Sequence, residues 1–594
     1  MSVRWLCVIS GFMHRDSVVA VQMAIDPKVG RIPREHLTFR APESGKRILF
    51  YISVTLFVFM LKSIVLMRGG ALYGRLAGPP VYDDVSYFVD ALQRMRIFLD
   101  QGVSGLVSNL LHAPPHAPYS TLASLLAFLF GGPYLAGPYL MNGVAMAMLA
   151  AMVFVLFRVS VLTTWCVALI LIATRWFDNA VTMFHPDLVA GFATAIMAAV
   201  FIWQSEIIQG WRRAVVFGVA AGIILLIKPV AFAMAISLWS ASFVYGALVA
   251  YREEKSWRPI GTRLLIGVLA VLVIAGPYFA HEIRHILGYI YQGFVLERET
   301  WSHRLADSEH SGFYLSAAKE SFAGWFAFAG VGASAIVLTA ALGRDWTTAL
   351  RFTGLILVTL FAYAVPASVE VKHYLYGGVF YGSIAVCLII TVHFWTDRLQ
   401  AFGFVGRPTR VHRLRMAVLV LLGAIAVAGL SDKQGRQYPT SFPRSAIQAE
   451  YDNVYGVLSD LYRERQELSK GSAAALDVYF PCPAPIAPHA YLFRGLVDGI
   501  DISLARNDVA KDPKATLEEV VVEAGQAAVI VVPDDAALKW IYPYPVNKLI
   551  PGLRAWLAQN AKFTRVRTIR SAQGNAEIFA DVSLAHDIAP SSVK

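Results

Sequence analysis

Two adjacent carboxylates, Asp83 and Asp84, follow Tyr82 shortly after the first long apolar run of the chain. Neighbouring carboxylates can hold a divalent cation such as Mg²⁺ or Mn²⁺, and one of them can act as a general base. The alternative is structural, because Asp83 precedes the helical pattern over 85–99 and could serve as its N-cap. Both residues are therefore candidates for catalysis or for metal binding.

A second acidic pair, Asp178 and Asp187, flanks a short loop between two apolar runs. We expect this loop to open on the same face of the protein as Asp83, where the two acids could position an acceptor or a metal ion. Asp187 follows Pro186 at the start of a helical pattern, where an acid is often only a helix cap. Spacing alone leaves both roles open.

Cationic side chains are frequent in the segments predicted for that face, and such groups suit a phosphate. Lys228 ends an apolar run, so the alternative for it is a lysine that extends its charged end to the membrane surface. The other cations could be ordinary loop charges. The candidates are Lys228, His281, Arg284, His285, Arg298, Arg304, Lys372 and His373.

The elements that must position these groups are membrane helices. Of the 594 residues, 56% are hydrophobic and only 16% are charged, against about 25% charged residues in a soluble domain. The mean hydropathy is +0.53. A hydrocarbon core about 30 Å thick needs roughly 20 apolar residues per helix. The pattern predicts about eleven transmembrane helices, near 47–67, 135–157, 159–176, 187–205, 214–228, 230–250, 264–280, 321–343, 351–367, 374–396 and 416–430.

The orientation of these spans follows from positive charge. We exclude the run 116–132 as a span, because its ends are rich in Pro, Gly and Ser, and expect it in the outer interface. The basic segments 31–47, 251–263 and 398–415 then share one side, which is cytoplasmic by the positive-inside rule. Residues 1–45 are then expected to form a cytoplasmic tail, and translation could begin at a later residue within it. The first span would act as an uncleaved signal anchor.

The outer side then carries the loops 68–134 and 281–320 and a soluble tail, 432–594. Strand patterns at 477–480 and 528–532 and a hairpin around Gly574 predict that the tail is an extracytoplasmic α/β domain. Two roles stay open for this domain. It could be a purely structural domain, or it could cover the site on the side from which an acceptor binds. The transmembrane domain between the N-terminal tail and this C-terminal domain covers 46–431.

Several classes of function are disfavoured by what the sequence lacks. Acidic residues are nearly absent from the interiors of the predicted spans, which weighs against an ion-coupled transporter. The net charge of +11 is not concentrated in a basic, aromatic-interleaved stretch, so no nucleic-acid partner is expected. The four cysteines show neither a disulfide framework nor zinc-ligand spacing.

Over roughly 45–430 the pattern resembles the GT-C class of membrane glycosyltransferases that use polyprenyl-phosphate sugars. Within it, the closest likeness is to the branch of aminoarabinose transferases and protein O-mannosyltransferases. Asp83-Asp84 followed by Tyr87 matches the family's acidic pair with a tyrosine four residues after the first acid. Asp187 falls where the family's second outer loop carries its acid.

Four further segments resemble the family, with departures. His116-Ala117-Pro118-Tyr119 is similar to a Lys-Pro-Pro-Leu segment, with His and Ala as departures. Lys228-Pro229, preceded by Gly222, resembles the Gly…Leu-x-Lys stretch of the middle spans. Gly276-Pro277-Tyr278 resembles the Pro-Trp-Tyr exit into the large outer loop. Lys372-His373-Tyr374-Leu375 resembles a Lys/Arg…Tyr-Leu start of a late span, where the family often has Pro in place of Gly377.

The resemblance implies an inverting transferase that moves a sugar from a polyprenyl-phosphate donor to a hydroxyl of a glycan, lipid or protein acceptor. The reaction would take place at the outer face of the inner membrane, among membrane lipids, in modification of the cell envelope. Asp83 would be the general base beside Asp84, and a divalent cation held with Asp187 is the one cofactor considered. Acceptor or metal positioning is expected of Asp187, Asp178, Tyr87 and His116, and phosphate binding of Lys228, His281, His285, Lys372, His373 and Tyr374.

Two other functions stay open. One is a membrane transporter or flippase of lipid-linked substrates, which would need a path through the bilayer centre rather than a cavity open at the outer face. The other is a non-catalytic GT-C-like scaffold, in which Asp83 would be buried away from any cavity.

Overall fold

The computed structural model describes residues 45–73, 76, 78–80, 83–204, 210–296, 312–401, 444–469, 475–482, 487–505, 507–512, 514–539, 544–571 and 574–584. The predicted tail before Gly45, the segment 297–311 with Arg298 and Arg304, and the predicted span 416–430 lie outside these residues. Asp83 begins a helix, but its side chain lies outside the described part.

Helices make up the described chain from 45 to 401. They are α1 (Gly45–Tyr73), α2 (Asp83–His112), α3 (Pro118–Gly131), α4 (Ala136–Leu156), α5 (Val161–Ile172), α6 (Arg175–Thr182), α7 (Pro186–Ile202), α8 (Trp211–Ile227), α9 (Phe232–Glu254), α10 (Arg258–Tyr291), α11 (Phe313–Phe322), α12 (Gly324–Leu342), α13 (Trp346–Ser368) and α14 (Gly378–Ala401).

Among the described residues, seven helical stretches are long and apolar enough to cross a membrane, or eight if α5 and α6, bent by 66°, form one span. The chain is therefore a mostly helical, multi-pass membrane protein. The number eleven stays a prediction, because α7 and α8 have 17 residues each. Helix α3, in the excluded run 116–132, has 14 residues, or about 21 Å of helix, which is shorter than a hydrocarbon core.

The long helix α10 continues past the predicted start of the second outer loop. The loop was expected to begin at 281, after an exit at Gly276-Pro277-Tyr278, but α10 continues through Pro277 to Tyr291. A proline inside a helix removes one hydrogen bond without having to end the helix. The 34 residues of α10 extend about 51 Å, so this helix is longer than a hydrocarbon core.

Helix α2 reverses direction within the region predicted as the first outer loop. Gly102 interrupts it with φ 68° and ψ −164°, a conformation that glycine adopts without the steric penalty of a Cβ atom. The Arg94 guanidinium, before the break, donates to Asn109 Oδ1 at 2.5 Å and to the Ala113 carbonyl at 2.8 Å, both after it. These bonds hold the two halves of α2 against each other.

Helices α7 and α14 cross with their backbones in contact. A Cβ atom on Gly191 would collide with the backbone of Gly378, and one on Gly382 would lie 2.6 Å from the Gly191 carbonyl oxygen. Small residues of this kind let membrane helices approach closely. The crossing begins at the start of both helices, since a Cβ atom on Gly378 would lie 2.5 Å from the carbonyl oxygen of Asp187.

The tail contains a five-stranded sheet of order β2-β1-β3-β5-β4. The strands are β1 (Leu476–Tyr479), β2 (Ile502–Leu504), β3 (Val529–Pro533), β4 (Phe563–Ser571) and β5 (Gly574–Asp581). β1 pairs in parallel with β2 and β3, and β5 is antiparallel to β3 and β4. The helices are α15 (Arg444–Leu468), α16 (Pro488–Asp498), α17 (Leu517–Gln526), α18 (Asp535–Leu538) and α19 (Ile550–Gln559).

The two faces of this sheet belong to different cores. Val529 and Val531 of β3 join a buried cluster that is continuous with the helical bundle. Ile530 and Val532 point to the other face, where a second cluster includes residues of α17 and α19. This follows from the alternation of side chains along a strand. The sheet and the predicted hairpin around Gly574 are present, while the outer location of the tail stays a prediction.

Candidate active site

A buried charged cluster joins Asp187, Lys228 and His185. The Lys228 ammonium lies 3.2 Å from Asp187 Oδ2, and His185 Nδ1 lies 2.9 Å from the same oxygen. The side chains are 11% exposed for Asp187 and Lys228 and 13% for His185. Removal of one partner from a largely buried ion pair is costly, because the other charge is then left without compensation.

Prolines at two helix ends place this pair. Pro186 stands in the first turn of α7, so Asp187 lies at the N-terminus, where the helix dipole favours a carboxylate. Pro229 follows Lys228 and begins a short 3-10 turn, Pro229–Ala231, between α8 and α9. The proline has no backbone N–H to continue α8, so the helix ends with Lys228 at its C-terminus.

The pair keeps Lys228 charged. Burial alone would disfavour the charge on Lys228, and the Asp187 carboxylate, 3.2 Å away, compensates it. Tyr87 and Tyr289 are also close enough to interact electrostatically with this ammonium. The Tyr87 ring centroid lies 6.3 Å from that of His185.

Asp84 supports the loop that presents His185. Its side chain is fully buried, and Oδ2 accepts hydrogen bonds from the Tyr139 hydroxyl at 2.9 Å and the Phe184 backbone N–H at 3.2 Å. A carboxylate that receives backbone and hydroxyl donors fixes their positions. Asp84 therefore connects α2 to the short segment 183–185, beside Asp187.

His116 reaches the same region from the other side. Its ring lies 5.2 Å from the ring of Tyr289 on α10, measured between centroids. The Tyr278 hydroxyl donates to the Pro115 carbonyl at 3.1 Å, which attaches α10 to the start of α3. Four predicted site residues, Tyr87, His116, Asp187 and Lys228, are thus linked through Tyr289 and His185.

No family model matches this sequence, and no curated protein matches it. Comparison with solved structures finds the crystal structure of ArnT from Cupriavidus metallidurans in the apo state, with a TM-score of 0.53 at 12% sequence identity. The match covers 91% of this chain and 99% of that chain. ArnT is an aminoarabinose transferase of the GT-C class. The chain has a GT-C fold. The resemblance seen in the sequence is confirmed at the level of fold.

Within this GT-C fold, Asp178 has a partner that the sequence reasoning missed. Asp178 Oδ1 lies 3.1 Å from the Lys62 ammonium, and the two side chains are 1% and 2% exposed. Lys62 lies about 25 Å along α1 from Gly45, inside the predicted first span. Asp178 was expected in an outer loop, but it lies on α6 in contact with α1. A lysine inside an apolar run was the available signal, because such a charge needs a partner.

Removal of Lys62 should destabilise the protein. Lys62→Met leaves the Asp178 carboxylate buried without its cation, which costs about 3–5 kcal/mol. The double variant Lys62→Met/Asp178→Leu removes both charges and should recover most of that loss. Thermal unfolding in detergent measures both, with Lys46→Met at an exposed position as control. Equal destabilisation by the single and double variants would contradict the pairing.

Lys372, His373 and Tyr374 make other contacts. The Lys372 ammonium donates to the carbonyls of Pro366, Ala367 and Val369, at the end of α13, as cations at helix C-termini do. His373 Nδ1 accepts the Leu375 backbone N–H at 3.3 Å. Phosphate binding by Lys372 stays a prediction, and it requires the ammonium to leave these carbonyls.

Tyr374 lines a small cleft. Its hydroxyl lies 2.9 Å from Ser321 Oγ. The cleft has a volume of about 180 Å³ and is lined by Arg175, Asn179, Met183, Ala317, Glu320, Ser321 and Tyr374. Met183 belongs to the same short segment as His185, so the cleft adjoins the buried cluster.

His281 and His285 share a carboxylate on α10. Glu282 accepts from His281 Nδ1 at 2.6 Å and from His285 Nδ1 at 3.1 Å. The two histidine side chains are 48% and 79% exposed. These contacts belong to a surface group on the helix, and a phosphate-binding role for either histidine stays a prediction.

The described residues contain no group of three or more His, Cys, Asp or Glu side chains arranged to hold a metal ion. Asp187 Oδ2 already faces the Lys228 ammonium and His185. The Asp83 side chain, which would be needed for the predicted divalent-cation site, lies outside the described residues. Binding of Mg²⁺ or Mn²⁺ therefore stays a prediction.

Proposed function

We propose that this protein is a membrane glycosyltransferase that moves a sugar from a polyprenyl-phosphate donor to an acceptor hydroxyl. The observation that carries the proposal is the buried Asp187–Lys228–His185 cluster, on a chain with a GT-C fold. A lysine held charged at a helix end suits a phosphate, and adjacent acids on α2 suit a hydroxyl. The acceptor is a glycan, a lipid or a protein of the cell envelope.

The reaction needs one proton transfer and one displacement. Asp83 takes the proton of the acceptor hydroxyl as its oxygen attacks the anomeric carbon of the donor sugar. The bond from that carbon to the phosphate oxygen breaks, and polyprenyl phosphate leaves with the bonding electrons. Attack opposite the leaving group inverts the anomeric centre. No cofactor is consumed.

The cluster supplies a positive charge close to the phosphate on which negative charge develops. In the proposed site, the Lys228 ammonium stabilises the phosphate as it gains negative charge, and Asp187 with His185 holds that ammonium in place. Preorganised charge at a developing anion is often a large contribution to catalysis. Asp84, which accepts from Tyr139 and Phe184, positions the segment that carries His185.

The proposed location is the outer face of the inner membrane, with the tail from 432 also outside. Reporter fusions at Gly435 and Gly406 test this orientation, because the predicted span 416–430 separates them. The fusion at Gly435 should report the extracytoplasmic compartment and the fusion at Gly406 the cytoplasm. Reports from the same compartment would contradict the predicted span 416–430, and reversed reports would contradict the exclusion of 116–132 as a span.

Mass analysis of envelope glycans and lipids, with and without the gene, tests the proposed function in cells. Loss of the gene should remove one sugar mass from a glycan, lipid or protein, and the wild-type gene should restore it. The polyprenyl-phosphate sugar should accumulate in the deleted strain. Identical sugar profiles in the two strains would count against the proposal.

A further inference from the structure

A buried aromatic residue of the tail contacts α2, the helix that begins at Asp83. Phe493 of α16 is 7% exposed, and its ring lies 6.1 Å from that of Phe88 on α2 and 6.3 Å from that of Phe128 on α3, between centroids. Aromatic pairs at these separations gain stability beyond the area that they bury. Phe493 therefore inserts between two helices of the membrane domain.

Phe88 is also part of the support of Asp84. It lies one helical turn after Asp84, on the same face of α2. Its ring lies 5.8 Å from that of Tyr139 and 5.3 Å from that of Phe184, between centroids. Tyr139 and Phe184 both donate hydrogen bonds to Asp84. The surface on which Phe493 rests is thus the one that holds the carboxylate.

A second contact fixes the direction of α16 along α2. The Arg96 guanidinium donates to the Leu496 carbonyl at 2.5 Å, in the last turn of α16. Carbonyls in the last turn of a helix have no partner within the helix, and a cation is favourable there. Arg96 lies two turns after Phe88, so α16 is held at two points along α2.

We propose that the C-terminal tail positions the active site through α16. Phe493 holds Phe88 against Phe184, and this contact keeps Asp84 in place to receive the Phe184 backbone N–H. The segment 183–185 then presents His185 to Asp187. Phe493 is a positioning residue, because it acts through Phe88 and Phe184. The kinetic part of this inference rests on the proposed function, whereas the structural part does not.

Hydrogen–deuterium exchange on the full-length protein in nanodiscs tests the structural part. Phe493→Ala should raise exchange in a peptide that covers 183–185 by roughly tenfold, because the Phe184 N–H loses its fixed acceptor. Phe493→Leu keeps a bulky apolar group and should show a smaller rise. Trp556→Ala is the matched control, because Trp556 packs with the second core of the tail and should leave this peptide unchanged.

The kinetic arm separates this inference from the proposed function. Phe493→Ala should lower kcat for transfer by roughly tenfold and leave KM for the donor nearly unchanged, as expected when a transition-state geometry is lost. Phe493→Leu should restore most of kcat. Altered exchange at 183–185 in a protein without transferase activity would support the positioning role and count against the proposed function.

Unchanged exchange at 183–185 in a folded Phe493→Ala protein would overturn the inference. An equal rise in Trp556→Ala would overturn it as well, because the effect would then reflect a loosened tail. Arg96→Gln covers the case in which Phe493→Ala fails to fold, since it removes the guanidinium that donates to the Leu496 carbonyl and leaves Phe493 in place. A rise in exchange at 183–185 is expected for it, and no rise would contradict the role of α16.

Discussion

Asp83→Asn should fold, bind the lipid donor and lose transfer by roughly 10²- to 10⁴-fold, which is the contribution of a positioned general base. A hydroxyl acceptor is a poor nucleophile until its proton is removed. Asparagine has nearly the shape of aspartate and can still cap a helix, but it cannot accept this proton. The substitution therefore separates catalysis from capping at the start of α2.

Transfer rates under saturating donor measure this effect, and thermal unfolding verifies the fold. Asp84→Asn is the comparison beside it. The buried Asp84 carboxylate accepts from both Tyr139 and Phe184, and an amide group turns one acceptor into a donor, so this variant should lose stability as well as activity. Near-normal transfer by Asp83→Asn would exclude Asp83 as the base.

The second large effect is expected for Lys228→Met, which keeps much of the apolar stem and removes the charge. A hydrogen bond to a charged group contributes about 1.5–3 kcal/mol, so kcat/KM for the donor should fall by roughly 10- to 150-fold. Steady-state kinetics with varied donor measure this loss. Lys46→Met, at an exposed position on α1, is the matched control.

A double variant separates the two explanations for Lys228. If Lys228 only neutralises Asp187, then Lys228→Met/Asp187→Asn should recover activity, because neither charge remains. If Lys228 binds the donor phosphate, the double variant should stay as impaired as the single one or more so. Recovery of donor use in the double variant would contradict phosphate binding by this lysine.

Long runs of apolar residues made the membrane helices predictable. The described residues contain a helix at each of the ten spans predicted between 47 and 396, including α7 and α8, which have 17 residues each. The helix does not end at Pro277, because a proline tells where a hydrogen bond is lost but not whether neighbouring contacts keep the helix intact. In α10 such a contact is the bond from Tyr278 to Pro115.

The site was predictable in its residue types and only partly in its pairings. The sequence indicated that Asp187 and Lys228 lie on one face of the protein. The structure adds that they form an ion pair, that His185 also contacts Asp187, and that the Tyr87 ring lies next to His185. The partnership of Asp178 with Lys62 could not be read from spacing, because the two residues are distant in sequence. Tertiary packing of α1 against α6 brings them together.

In the tail, too, the elements could be predicted from the sequence but their tertiary contacts could not. Strand β1 and the hairpin of β4 and β5 follow from alternating apolar residues and the turn at Gly574, whereas β3 follows from a continuous apolar run. Helix α16 carried no comparable signal of its role, since nothing in residues 488–498 indicates that Phe493 packs against Phe88. Contacts between segments four hundred residues apart are set by the fold.

Sugar transfer can be measured with the purified protein in nanodiscs, a defined polyprenyl-phosphate sugar and an envelope extract as acceptor. We expect release of polyprenyl phosphate together with transfer of the sugar to the extract, with the anomeric configuration inverted. The Asp83→Asn protein should leave the donor intact. Movement of intact donor across the bilayer without cleavage of its sugar–phosphate bond would contradict the proposed glycosyltransferase activity.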